Sequence, residues 1–222
     1  MVTSNIFASM RLGALAAALV LAPGLALSEQ PAAADPLSEC FSDGAQHRID
    51  ACSDLLDIPG LDDNARSLAY SMRALAYSRN GQFDQALPDY DMAITLDPSS
   101  AMALNNRGWV RYKLNRLDES LVDVEQSLAL SPGSPHAHDT RAHVHQARGE
   151  QARALADYEQ AMRFGGENLI KLYQCGLTAH GLYSGPVDGL YTNSMRRAFE
   201  ICVGDRTCDP LPPSEDCQKL TS

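Results

Sequence analysis

A chain of 222 residues with 45% hydrophobic content is long and apolar enough for one or two packed domains. Its net charge of −10 makes nucleic acid and anionic membrane surfaces poor partners, because like charge repels at both.

Residues 1–28 carry a single charge, Arg11, ahead of the run "LGALAAALVLAPGLALS". That run is broken at Pro23-Gly24 and is short for a bilayer span. A positive start, an apolar middle and small residues at the exit (Ala26-Leu27-Ser28, or alternatively Ala32-Ala33-Ala34) read as a secretory signal peptide. Its removal takes the net charge from −10 to −11. Residues 29–36 read as a linker. All six cysteines lie beyond it: Cys40, Cys52, Cys175, Cys202, Cys208 and Cys217. An even count behind a signal peptide predicts disulfides in an oxidising compartment, here a periplasm, with no stable membrane insertion after cleavage.

The middle of the chain repeats at an offset of 34 residues, in the units 67–100, 101–134 and 135–166. Small residues coincide at Ala74, Gly108 and Ala142, again at Ala86, Ser120 and Ala154, and again at Ala93, Ser127 and Ala161. Pro98 and Pro132 fall at the same place in successive units. This pattern resembles the tetratricopeptide repeat. The resemblance implies an all-α solenoid in which each unit is a helical hairpin, small residues let two backbones approach, and proline resets the chain. One period upstream of Ala74 and Ala86 stand Cys40 and Cys52, so residues 37–60 are expected to form a degenerate N-terminal hairpin stapled by Cys40–Cys52. Arg73, Arg107 and Arg141 also recur at 34, as do Asp89, Asp123 and Asp157, which points to ion pairs inside the stack.

Tetratricopeptide proteins bind peptides on the surface of their first helices. Carried onto this chain, the resemblance implies a groove of Asn105, Asn106, Trp109, Tyr112, Lys113, His136, Asp139 and His143, taking a protein or peptide partner. Asn106 matches the asparagine that holds a peptide backbone in many members. Leu75, His136 and Thr140 stand where members that clamp a terminal carboxylate carry basic residues. Independently, His136, Asp139 and His143 fall at i, i+3 and i+7, one helix face, where two imidazoles and a carboxylate are a candidate zinc or copper site or a pH-sensitive surface.

Residues 167–203 leave the repeat. Ile170, Tyr173, Gln174 and Leu177, then Gly181, then "GPVDG" at 185–189 resemble a small helical peptidoglycan-binding module. That resemblance implies sugar contact through Tyr183, Asp188 and Tyr191. The family's glycine and capping threonine after the loop are not kept, Thr192 and Met195 standing there, so Asn193 or Ser194 is expected to cap the last helix. Residues 204–222 form a cysteine-containing tail. Of the three ways to pair the last four cysteines, Cys175–Cys202 with Cys208–Cys217 is favoured. The chain lacks G-x-S-x-G, H-E-x-x-H and a phosphate-binding glycine loop. The expected protein is therefore a non-enzymatic, cofactor-free periplasmic adaptor that binds protein through the solenoid and peptidoglycan through the module. The alternatives are a metal- or pH-responsive protein, and a pure scaffold whose last module only caps the stack.

Overall fold

The 34-residue period becomes a stack of antiparallel helix pairs in a computed structural model that describes residues 35–211 and Cys217. The expected signal peptide at 1–28, residues 29–34 of the expected linker and most of the expected tail beyond 211 lie outside the described residues. All regular structure among the described residues is helical: α1 (Pro36–Cys40), α2 (Ala45–Leu56), α3 (Asp63–Arg79), α4 (Phe83–Leu96), α5 (Ala101–Lys113), α6 (Leu117–Leu130), α7 (Pro135–Ala147), α8 (Gln151–Ala179) and α9 (Asn193–Cys202). Helices α3 and α4, α5 and α6, and α7 and the first half of α8 form the three full pairs.

Local chemistry sets the ends of these helices. Asp62, Ser100 and Ser134 cap α3, α5 and α7 by accepting the amides of Ala65, Ala103 and Ala137. Between the helices of each pair, Gly81, Asn115 and Gly149 occupy one repeat position at φ of 72°, 58° and 77°. The amide that follows each one reaches back to the last turn, to the carbonyls of Tyr77, Arg111 and His145. This closes the helix with a left-handed residue, tolerated by glycine and asparagine.

The small slots are where the paired helices touch. A Cβ on Gly108 would stand 2.6 Å from Val124 Cγ2, and Ser120 Oγ donates to the Gly108 carbonyl at 2.7 Å. One period earlier than Ala74 and Ala86, Cys40 and Cys52 are bonded with their Cα atoms 4.6 Å apart. Another repeat bond swaps direction from unit to unit. Ser67 Oγ donates to the Ala93 carbonyl, and one period on Ser127 Oγ, in the slot of Ala93, donates to Ala101, in the slot of Ser67.

The arginine and aspartate ladders are ion pairs across each hairpin. Arg73 grips Asp89, Arg107 grips Asp123 and Arg141 grips Asp157, each through two nitrogens at 2.7 to 3.0 Å. The forked geometry fixes the angle between helices as well as the charge balance.

α8 serves two roles and bends between them at Gly166, φ 65°. Its first half completes the third pair. Its second half carries Tyr173 and Leu177 into one core with Tyr158, Met195, Phe199 and Tyr183. Tyr158, Tyr173 and Phe199 contact each other with ring centroids 5.2 to 5.8 Å apart. The C-terminal module thus shares a continuous core with the last repeat.

Two expectations about this region are corrected. Cys175 pairs with Cys217, and Cys202 with Cys208, in place of Cys175–Cys202 and Cys208–Cys217. Gln174 is buried and bonds the 188–190 loop, and Cys175, next on α8, is turned about 100° away from it and is only partly buried. The turn after α9 instead folds Cys208 back onto Cys202, helped by Asp205 accepting from the Thr207 amide and hydroxyl. Thr192 caps α9 by accepting the Met195 amide, the role expected of Asn193 or Ser194.

Candidate functional site: the face of the first helices

Helices α3, α5 and α7 lie side by side and expose a row of recesses. Between α3 and α5, Asn64, Ser67, Leu68, Ser71, Ser100 and Met102 line about 160 Å³. Between α5 and α7, Met102, Asn105, Asn106, Ser131, Ser134 and His136 line about 320 Å³. A third recess of about 200 Å³ adjoins it, bounded by Asn105, Asn106, Trp109, His136, Asp139, Thr140 and Leu211. Amides, hydroxyls and an imidazole alternate with Met102 and Leu68. Such a surface can pair with the backbone of an extended chain while holding apolar side chains between.

Trp109 is half-buried at one end of this row. Its ring lies 5.2 Å from that of Tyr112, and Lys113 Nζ sits 5.3 Å from the Trp109 centroid and 5.9 Å from that of Tyr112. Asn105, Asn106, Trp109, Tyr112, Lys113 and His136 are therefore brought together at one face, His136 and Lys113 exposed and the rest partly or largely covered.

His143 stands apart from that accessible set, and Asp139, though buried, borders the third recess. His143 is only 2% exposed, with ring contacts to Trp109, Tyr112 and Tyr158 at 5.3, 5.6 and 5.4 Å. Its Nδ1 meets the Asp139 carbonyl at 2.9 Å and its Nε2 meets Asp209 Oδ1 at 3.1 Å. Asp139 is buried and accepts from the Tyr173 hydroxyl. Burial alone would lower the His143 pKa, but Asp139 and Asp209 outweigh it and push the ring up to about 9. Burial raises the Asp139 carboxyl, while His143 and Asp139's bond from Tyr173 oppose the rise.

This geometry corrects the metal reading of His136, Asp139 and His143. Both nitrogens of His143 are engaged and its carboxylate neighbour is capped by a tyrosine, so the trio offers no open coordination set. Among the described residues, no group of three or more His, Cys, Asp or Glu side chains is placed to hold a metal ion. His138 and His145, on the same helix, are likewise occupied: His138 lies 3.3 Å from Asp157 and His145 lies 2.7 Å from Glu150.

The module's loop is built around Gln174. Its carbonyl oxygen accepts the Gly189 amide at 2.9 Å, and its nitrogen donates to Asp188 Oδ1 and the Leu190 carbonyl. Asp188 Oδ1 also accepts the Leu190 amide at 3.0 Å, and these bonds hold its carboxyl below the usual range. Tyr183 is 5% exposed, with its hydroxyl donating to the Pro186 carbonyl. A Cβ on Gly185 would strike that hydroxyl, so the glycine is there to admit the ring. Tyr183 is consequently a core residue and presents no flat face to a sugar, and Asp188 engages its Oδ1 within the loop. Val187, Leu190 and Tyr191 are the exposed apolar residues of the loop, with the Tyr191 hydroxyl donating to Glu159.

Several residues that matter here had no periodic signal in the sequence. Gln146 donates to the carbonyls of Cys202, Asp205 and Cys208 and accepts from Tyr158, fastening the turn after α9 to α7. Asp209 and Leu211 reach the groove from the tail, and a single occurrence of "CDPL" gives no hint of it.

Residues 71–135 match the family model of the tetratricopeptide repeat. Solved structures of MamA share the fold. A form of MamA running from residue 41 to the end, from Desulfovibrio magneticus RS-1, is 16% identical with a TM-score of 0.52, covering 65% of this chain and 80% of that one. A double mutant of RS-1 MamA gives 15%, 0.53, 76% and 88%, and a further MamA structure 19%, 0.51, 72% and 84%. At these identities the likeness is one of fold. No curated protein matches the sequence. The class is therefore an all-α solenoid of helical hairpins, with the tetratricopeptide match confined to residues 71–135, followed by a disulfide-stapled helical module.

Proposed function

We propose that the protein is a non-enzymatic adaptor of an oxidising compartment, a periplasm, and that the face of α3, α5 and α7 holds an extended segment of a partner protein. The observation that carries this reading is the unbroken row of recesses from Ser71 past Met102 to His136, lined by side chains suited to a peptide backbone. Pairing of all six cysteines supports the oxidising compartment. No helix among the described residues is long and apolar enough to cross a membrane.

Selection of displayed linear peptides on the oxidised protein tests the groove. Peptides that bind should lose at least about tenfold in affinity on Asn106→Ala, the scale of one lost hydrogen bond to a partner plus its desolvation. Selected peptides indifferent to both Asn106→Ala and Met102→Glu would overturn the reading.

The adaptor's second contact, with peptidoglycan, is supported by the resemblance of residues 167–203 and by the exposure of Val187, Leu190 and Tyr191. Retention on purified sacculi should fall for Leu190→Ala combined with Tyr191→Ala. Wild-type protein that washes off the sacculi would reduce the module to a cap.

A further inference from the structure

Asn105 carries a polar atom that the fold leaves without a partner. The residue is 8% exposed, and among the described residues no donor reaches its covered Oδ1. A buried acceptor left unpaired costs free energy that an apolar group in its place would not. Its Nδ2 reaches only Asn106 Oδ1, at 3.4 Å, beyond the usual range of a hydrogen bond. Little therefore fixes the amide, and its terminal torsion is soft, so the oxygen can turn toward either of the two recesses that Asn105 lines. Of the two, the recess of about 200 Å³ has the more selective chemistry. Asp139 borders it, Trp109 forms one side, and no lysine or arginine lines it among the described residues. His143 stands 3.6 Å from the Asp139 carboxylate and 3.1 Å from that of Asp209. Two carboxylates against one imidazole leave a negative charge in excess even when the ring is protonated. A cation already stands at the margin: Lys113 Nζ lies 5.3 Å from the Trp109 centroid and 5.9 Å from that of Tyr112. Lys113 is exposed on a flexible stem and can give way.

We propose that this recess receives an arginine side chain of the partner segment, its guanidinium donating to Asn105 Oδ1 and lying against Trp109. A guanidinium presents several N–H donors in one plane and a delocalised charge. It can therefore satisfy the orphaned acceptor, stack on the indole and offset the surplus charge at once. A backbone amide would supply only the first of these. That the arginine belongs to an extended segment rests on the groove reading above; the subsite is testable without it.

The test titrates N-acetylarginine methylamide into the oxidised full chain, beside the citrulline analogue, which keeps the shape and lacks the charge. Trp109 is the only tryptophan, so its indole N–H gives a single side-chain signal by proton–nitrogen NMR. The arginine compound should shift that signal saturably, with a dissociation constant on the order of millimolar for so small a ligand. The citrulline compound should leave it nearly unmoved. Asn105→Leu should weaken arginine binding at least about tenfold, the scale of one hydrogen bond to a charged group, with helical circular dichroism retained. Asn105→Ala should weaken it alike, which keeps the test usable if leucine does not fit the site. No saturable shift with the arginine compound, an equal shift with citrulline, or unchanged binding in the folded Asn105 variants would overturn the proposal. Failure of peptide selection beside a positive arginine titration would instead remove the groove reading and leave the subsite standing. Selected peptides that need Asn106 but lose nothing when each arginine becomes citrulline would keep the groove and overturn the subsite.

Discussion

At single positions the stack is governed by how close two backbones may come. Gly108 has Val124 Cγ2 where its own Cβ would go, and Val124 is β-branched and stiff, so it has little room to yield. Gly108→Ala gains about 1 kcal/mol of helix propensity but loses about 1–3 kcal/mol to overpacking, and a net loss of stability is expected from urea unfolding. A gain would mean that α5 and α6 part more readily than their contact implies. His143 supplies a pH-dependent counterpart. Its pKa in the fold, about 9, lies above the ordinary 6.5 because Asp139 and Asp209 outweigh burial. A raised pKa means the stabilisation is complete below 6.5 and is lost as pH climbs through about 9. Tyr158 and Tyr173, which pack against the same cluster, are held well above their usual range by burial and stay neutral across that window. The stability advantage of wild type over His143→Gln should therefore shrink between about pH 7 and pH 10. A constant difference would show that the ring acts by packing alone.

Among the helices, the sequence was legible where residues recur and silent where they do not. Slots 34 apart marked the three hairpins and the Arg–Asp ladder, because every unit solves the same contact in the same way. They also marked the first hairpin, since Cys40 and Cys52 stand where later units carry small residues. The groove side chains Asn105, Asn106 and Trp109 could be placed on one face by the same register. His143 could not be told from them: one helical face has a rim and a floor, and only the packing of Tyr158 and the tail decides which a residue occupies. The pairing of Cys175 with Cys217 was hidden for a like reason, as it depends on where a non-repeating segment turns. The Cys40–Cys52 slot gives a clean test at this scale. Cys40→Ala/Cys52→Ala installs the residues found at Ala74/Ala86 and Ala142/Ala154, so packing is kept while the covalent loop is lost. Chain-entropy reasoning sets the cost at about 3 kcal/mol. Contacts in a solenoid run between neighbours, so hydrogen exchange should quicken in α1 and α2 and stay slow in α7 to α9. Uniform quickening would contradict the neighbour-by-neighbour account.

Across the described residues, the repeats, the module and the segment from α9 to Leu211 are continuous. The last repeat and the module share the core around Tyr158, Tyr173 and Phe199, and the tail returns from that core to the groove. The face of α3 and α5 is open and Leu211 borders the recess at Trp109, so partners should first engage the Met102 and Asn106 region. A photo-crosslinking residue placed at Met102, on the groove side, or at Val122, 63% exposed on α6, asks this directly in the native cells. Capture of a discrete partner from position 102 and none from position 122, with loss of that capture on Asn106→Ala, is the predicted result. Equal capture from both positions, or capture from 122 alone, would contradict the assignment of the groove as the binding face.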